Sequence, residues 1–237
     1  MTPAVLAIIQ ARMGSTRFPG KSMAEIDGRP ILSYMMEQLS YCRTLGGIIL
    51  AIPDVPSDDP LAAFAAEQGW QVYRGSEADV LDRFYRAAAA HGAGPRTGIV
   101  RLTGDDILPD PDLVDAVARL YTAFDGLFDY VCTDRAGRLP YGAGVEVLSY
   151  DALGIAQSEA VKPHDREHVV PFVKWNADRF KSLELTTSVD LSDSISLSID
   201  TPYDLARCAE LIGYLRQHHS PPYHIADILA GAKRMTL

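Results

Sequence analysis

Residues 6 to 10, Leu-Ala-Ile-Ile-Gln, are apolar at every position but the last, and they stop at a loop of glycine, serine, proline and permanent cations. A run without polar alternation does not suit a sheet with one wet face. It reads as a strand covered on both sides, which requires a layer of helices above and another below. The following segments supply that pattern. Ile31, Leu32, Met35, Met36 and Leu39 fall at helical spacing behind Pro30, a residue suited to the first helical turn. Ile48–Ile52 is a second buried strand. Ser57-Asp58-Asp59-Pro60 starts a helix reaching about Gly69, and Gln71–Arg74 is a third strand. Strand and helix in this rhythm make parallel βα units, hence an α/β fold with a mainly parallel, Rossmann-like central sheet.

Further along, Gly98–Leu102, Phe128–Cys132, Val145–Leu148, Phe180–Thr186 and Ile195–Ile199 are expected as strands. Helices are expected to about His91, after Asp110-Pro111, over Asp151–Ala160, from Thr201-Pro202 to about His218, and over about Tyr223–Ala230. No internal repeat or linker interrupts the 237 residues, so residues 1–237 are expected to be one domain.

The net charge of −9 argues against a nonspecific nucleic-acid binder, whose surface must neutralise phosphates, but leaves room for a local basic pocket. Cys42, Cys132 and Cys208 are odd in number and widely spaced, which fits neither a metal pattern nor a disulfide framework. A reduced, cytoplasmic setting is the expectation. No stretch approaches the roughly 20 apolar residues of a membrane span.

The loop after the first run, Ala11-Arg12-Met13-Gly14-Ser15-Thr16-Arg17-Phe18-Pro19-Gly20-Lys21, carries chemistry. Glycine and serine let backbone N–H groups crowd an anion, and Arg12, Arg17 and Lys21 could neutralise several phosphate charges. A solvated basic loop would look the same in composition. It is neither the dinucleotide Gly-x-Gly-x-x-Gly nor a Walker A loop, because position 15, where the first Walker glycine belongs, is Ser. Asp105 and Asp200 each end an apolar run just before a helix start. Ligands of open α/β sheets bind at such strand ends, and carboxylates there suit Mg²⁺, although both are also good turn residues. Glu146 interrupts an apolar strand, either on the wet face of an antiparallel edge strand or in a pocket. Arg166, Glu167 and His168 belong to a charged stretch that could equally open a helix. In Gly75-Ser76-Glu77-Ala78-Asp79, Ser76 and Asp79 have the spacing of a capping box.

Gln10-Ala-Arg-Met-Gly-Ser-Thr-Arg-Phe-Pro-Gly-Lys21 resembles the opening of the spore-coat-polysaccharide-type cytidylyltransferases, relatives of the CMP-ketodeoxyoctulosonate and CMP-sialic acid synthetases. The resemblance runs through most of the chain. It includes the segment from Gly75 to Arg83, Gly104-Asp105, Arg166-Glu-His-Val169 and Asp200-Thr-Pro-Tyr-Asp-Leu205. It implies a nucleotide-diphospho-sugar transferase fold, with a sugar-side insertion around residues 133–190. It implies that CTP and an acidic, nonulosonic-type sugar react to CMP-sugar and pyrophosphate. Ala11, Arg12, Gly14, Ser15, Arg17, Lys21, Gly75, Ser76, Asp79, Arg83 and Gly104 would then bind the nucleotide. Tyr141, Glu146, Arg166, Glu167 and His168 would face the sugar, and Asp105 and Asp200 would hold Mg²⁺. Arg12, Lys21 and Asp105 would carry the catalysis, and no side chain offers itself as a general base. Neither nucleic acid nor membrane is an expected partner, and a homodimer is allowed. The chain departs from the pattern at Ile107, where the relatives usually carry Pro. Another base or sugar, a glycosyltransferase on a similar fold and a silent nucleotide binder remain alternatives.

Overall fold

The apolar run at the N-terminus becomes an interior strand of the main sheet. The computed structural model describes residues 5–124, 126–133 and 137–235; the predicted insertion at 133–190 is therefore described except for residues 134–136. β1 (Val5–Gln10) leads through the cationic loop and a one-turn 3₁₀ helix (Lys21–Met23) to a two-residue antiparallel pair, β2 (Glu25–Ile26) and β3 (Arg29–Pro30). Then follow α1 (Ile31–Ser40), β4 (Gly47–Pro53), α2 (Asp59–Glu67), β5 (Gln71–Gly75), α3 (Val80–Ala90), β6 (Gly98–Thr103) and α4 (Pro111–Ala123). The second part of the chain supplies β7 (Tyr130–Thr133), β8 (Glu146–Ser149), α5 (Tyr150–Glu159), α6 (Pro163–His168), α7 (Pro171–Lys174), β9 (Ser182–Leu185), α8 (Pro202–His218) and α9 (Ile225–Met235).

Among the described residues the main sheet has seven strands in the order β5-β4-β1-β6-β8-β7-β9. β1 pairs in parallel with β4 and β6, β4 with β5 and β7 with β9, while β8 runs antiparallel between β6 and β7. All strands but β8 therefore point the same way, and their C-terminal ends share one edge. Successive side chains of a strand face opposite ways, so β1 feeds two cores. Ala7 and Ile9 pack with Leu32, Met35 and Leu39 of α1, Leu61 of α2 and Val114 and Val117 of α4. Leu6 and Ile8 pack with Leu81 and Phe84 of α3 and Leu153 and Ala156 of α5. This two-sided burial is why the run shows no polar alternation. A third cluster, Leu197, Ile199, Leu211 and Ile212 among it, docks α8 and α9 against the loops at the sheet edge.

Three expectations change. Ile195–Ile199 is not a strand; the only ladder contact there is an isolated bridge between Ser198 and Asp106. Its backbone instead exchanges bonds with loops: Ile107 N donates to Leu197 O, Ile199 N to Asp105 O and Leu197 N to Tyr141 O. The alternation that suggested a strand comes from Leu197 and Ile199 entering the third core, both wholly buried. Ser76 does not cap α3. Asp79 does, accepting from Asp82 N at 2.9 Å, while the Ser76 hydroxyl accepts from Asp79 N one turn earlier. Glu146 stands on an antiparallel strand, but β8 is interior, so no edge offers its carboxylate to solvent.

Candidate active site

The cationic loop is shaped by its own backbone. Gly20 N and Ser15 N both donate to Met13 O, Ser22 Oγ donates to Arg12 O, and the buried Asp58 accepts from Met13 N at 2.9 Å. Gly20, at φ 75°, is in the left-handed region, where a side chain is strained. From here the chain enters the 3₁₀ turn that carries Lys21. Beside the loop, Gly104 closes β6 against β1. A Cβ at this position would meet Ala11 Cβ and Gln10 O, each at 3.0 Å.

Asp105 follows at the end of β6. Asp200 comes from the other half of the chain and is set by the start of α8. Thr201 and Asp204 form a reciprocal capping box, and Asp204 Oδ2 also accepts from Asp200 N at 3.1 Å. The two carboxylates converge on one cation, with Lys21 Nζ donating to Asp105 Oδ2 at 2.5 Å and to Asp200 Oδ1 at 2.8 Å. Arg17 reaches the same oxygen of Asp200 at 2.9 Å. Burial would lower the Lys21 pKa, but the two carboxylates more than reverse this and raise it. Burial acts on Asp200 in the opposite sense, and Lys21 and Arg17 outweigh it, so its pKa falls. The protein thus places its own ammonium where two acids would otherwise repel.

These groups line a cavity of about 520 Å³ at the C-terminal edge of the sheet. Of the residues singled out by resemblance, Ala11, Arg12, Ser15, Arg17, Lys21, Arg83, Gly104, Asp105, Tyr141, Glu146, Glu167, His168 and Asp200 line it. Gly14, Gly75, Ser76, Asp79 and Arg166 are not among the lining residues. Gly14 has room for a side chain, since a Cβ would meet only Glu77 at 3.7 Å. Gly75 and Ser76 back the wall instead: Ser76 O accepts from Arg83, whose buried Nε has no partner. Burial first, then the neighbouring Arg12, pulls the Arg83 pKa down to about 10. Arg166 is spent on the protein. Its guanidinium grips the Asp79 carboxylate and donates to Gln157 O and Ala160 O. Of the two roles open to it from sequence, the structure has it hold a carboxylate of its own chain.

Another wall of the cavity comes from β8, α6 and α7. α6 ends at His168 because Val169 adopts φ 69°, rare for a β-branched residue. The resulting bend brings His168 and Lys174 of α7 to the same cavity. Burial, then His164 across a ring contact of 4.5 Å, lowers the His168 pKa. Glu167 lies 4.0 Å from Arg12. Glu146 accepts from Tyr130 Oη at 2.5 Å.

The sequence reading missed Gln10, Arg101, Thr103, Lys174 and Ser198, all of which line the cavity, as does Asp106, the second acid at the end of the same strand as Asp105. Asp106 accepts from Thr103 Oγ1; burial, then Asp105, pushes its carboxyl up to about 7. Arg101 carried a usable signal. It is a lone charge in an apolar strand, as Glu146 is, and the two are cross-strand partners.

Among the described residues no group of three or more His, Cys, Asp or Glu could hold a metal. Two carboxylates open to a cavity nonetheless suit Mg²⁺, which takes one or two protein carboxylates and completes its shell with water and substrate phosphate. Among the described residues no helix is long and apolar enough to cross a membrane.

Known proteins resemble the chain over most of its length. A family model described as "Cytidylyltransferase" matches residues 6–219. The spore coat polysaccharide biosynthesis protein SpsF of Bacillus subtilis is 35% identical over 175 residues, 72% of this chain and 70% of that protein. A 3-deoxy-manno-octulosonate cytidylyltransferase of Anaeromyxobacter dehalogenans is 36% identical over 167 residues, 68% of this chain and 66% of that one. Among solved structures, a cytidylyltransferase from Leptospira borgpetersenii superposes with a TM-score of 0.89 at 29% identity, covering 99% of this chain and 95% of the other. A CMP:2-keto-3-deoxy-manno-octonic acid synthetase complexed with CTP shares the fold, with TM-score 0.64, 17% identity and coverage of 89% and 98%. So does a Mycobacterium tuberculosis protein in complex with manganese, with TM-score 0.58, 19% identity and coverage of 87% and 98%.

Proposed function

Because the chain belongs to the cytidylyltransferase family and is a nucleotidyltransferase, we propose that it joins CTP to an acidic, nonulosonic-type sugar, giving a CMP-sugar and pyrophosphate. The observation that supports this most is the meeting of loop and acids: Lys21 lies between Asp105 and Asp200, in the cavity that Arg12 and Arg17 also line. A sugar hydroxyl attacks the α-phosphorus in line, the bond to the bridging oxygen breaks, and pyrophosphate leaves. Positioning and charge neutralisation do most of such work.

Arg12, Arg17 and Lys21 bind the β- and γ-phosphates and take up the charge that develops on the leaving group. Lys21 exchanges its carboxylate contacts for phosphate oxygens when the nucleotide arrives. Asp105 and Asp200 would hold Mg²⁺, which when bound supplies Lewis-acid polarisation of the α-phosphate and acidifies the attacking hydroxyl. Arg83, Ala11 and the backbone they rest on form the base end. The segment from residue 133 to 190, with β8, α6 and α7, makes the sugar end of one domain. Relatives named for 3-deoxy-manno-octulosonate favour an acidic sugar over a neutral one.

The test is pyrophosphate release with each of the four nucleoside triphosphates against a panel of nonulosonic acids and neutral sugars. CTP with at least one acidic sugar should stand out. Equal use of ATP and CTP, or turnover only with neutral sugars, would overturn the reading.

A further inference from the structure

The geometry points to Arg101 as the residue that binds the carboxylate of the sugar substrate, and so as the group by which this enzyme distinguishes an acidic sugar from a neutral one. The inference rests on the acidic-sugar reading above and adds a residue that neither the loop motif nor the strand-end acids include.

Arg101 lies in the middle of β6, opposite Ile8 of β1 and paired across the antiparallel step with Glu146 of β8. Its side chain is 18% exposed and lines the cavity. A guanidinium so placed has five N–H donors to satisfy, and burial makes an idle donor costly. The protein leaves it short. Nε is buried without a partner, one amino group reaches Gln10 Oε1 at only 3.4 Å, and the other is 3.8 Å from Glu146 Oε2, beyond hydrogen-bond range. Glu146 is meanwhile engaged by Tyr130 Oη at 2.5 Å.

Arg166 shows the contrast. It comes from α6, outside the cavity lining, and binds Asp79 through two nitrogens and two backbone carbonyls through a third. The two terminal amino groups of Arg101, one weakly bonded and one out of range of its carboxylate, therefore retain a fork for a ligand, and a fork of this kind matches a planar carboxylate. The charge balance also fits one negative charge. Glu146 partly offsets Arg101, Glu167 faces Arg12, and Lys174 adds a further cation to the lining. A sugar phosphate would bring about two negative charges to a corner equipped for roughly one.

The experiment compares wild type with Arg101→Gln and Arg101→Lys. It measures KM for an acidic 2-keto sugar, KM and calorimetric Kd for CTP, and turnover of the matching sugar carboxamide. Arg101→Gln should raise the sugar KM about 10- to 100-fold, the scale of one charged hydrogen bond pair. The CTP Kd should be unchanged, which also reports that the variant is folded. Arg101→Lys should recover part of the loss, and the carboxamide should be used equally poorly by wild type and Arg101→Gln. A wild type that turns over the acidic sugar while Arg101→Gln leaves its KM unmoved overturns the role of Arg101 alone. Equal rises in both KM values overturn it too, since they mark a structural residue. Wild-type preference for a hexose 1-phosphate over every acidic sugar would remove the proposed function and this role together.

Discussion

At the loop end of the cavity Lys21 is held by Asp105 and Asp200 at 2.5 and 2.8 Å, whereas at the β8 end Arg101 comes no closer than 3.8 Å to Glu146 and its Nε is bare. Both cations face the same space. The first is already paired with two carboxylates that line the cavity. The second waits with donors unspent. A third cation, Arg166, is closely paired as well, but with Asp79 behind the wall. Close pairing alone therefore does not separate a working charge from a structural one. What separates them is whether the paired groups open onto the cavity, as Lys21, Asp105 and Asp200 do and Arg166 and Asp79 do not.

The sharpest way to break this contrast is to remove one acid at the loop end. Asp105→Asn or Asp200→Asn should each lower turnover about 100-fold or more, the cost of losing one stabiliser of transition-state charge, with the fold retained. Asn turns and caps nearly as well as Asp, so a near-silent result in steady-state kinetics would mark both acids as helix-start residues only.

Arg166→Met should act on stability instead. It removes a half-buried ion pair and two carbonyl contacts, at a cost of about 2 kcal/mol in denaturant unfolding, while both substrate KM values stay near wild type. A sugar KM raised as far as in Arg101→Gln would erase the distinction between the two arginines.

Lys21→Met tests the loop end without turnover. With the ammonium gone, Asp105 and Asp200 should take Mn²⁺ from solution in the absence of nucleotide, roughly tenfold tighter than in wild type, on the scale of the lost ion pair. Paramagnetic titration of the nucleotide-free protein reads this directly. Unchanged affinity would mean that Lys21 does not compete with a cation for these oxygens.

The smallest effect belongs to a pair outside the cavity lining. Burial pulls the His224 pKa down, but Asp110, with Asp112 and Asp227, raises it above its ordinary value. A raised folded-state pKa contributes stability that is complete below the unfolded value near 6.5 and is lost as pH rises through the folded one. His224→Gln should therefore cost about 0.5 kcal/mol or less at pH 5.5, after allowance for solvent screening, and nothing at pH 9. Thermal unfolding at the two pH values would show it; a larger loss at the higher pH would contradict the sign.

Much of this molecule is legible in its sequence. The runs at 6–10, 48–52 and 98–102 read as strands, the first of them covered on both faces, and helices announced themselves through Pro30, Asp110-Pro111 and Thr201-Pro202. Local chemistry is enough there, because apolar periodicity and capping act over a few residues. Asp105 and Asp200 could be matched from sequence for a related reason: parallel strands deliver their C-terminal ends to one edge, whatever their separation in the chain.

What the chain by itself determined was thus the sheet, its parallel sense and the edge at which the charged loop and the acids gather. Only the tertiary structure decided the partners. Arg166 and Arg101 are both arginines near apolar segments, and nothing in either neighbourhood says that Asp79, 87 residues away, satisfies the first while the second stays short. Nor does alternation over 195–199 say that its apolar residues enter a core formed with α8 while its backbone bonds to loops. Periodicity records that a side chain is buried. Which donor meets which acceptor depends on how distant segments cross, and a charge becomes available to a ligand only where that crossing leaves it unpaired.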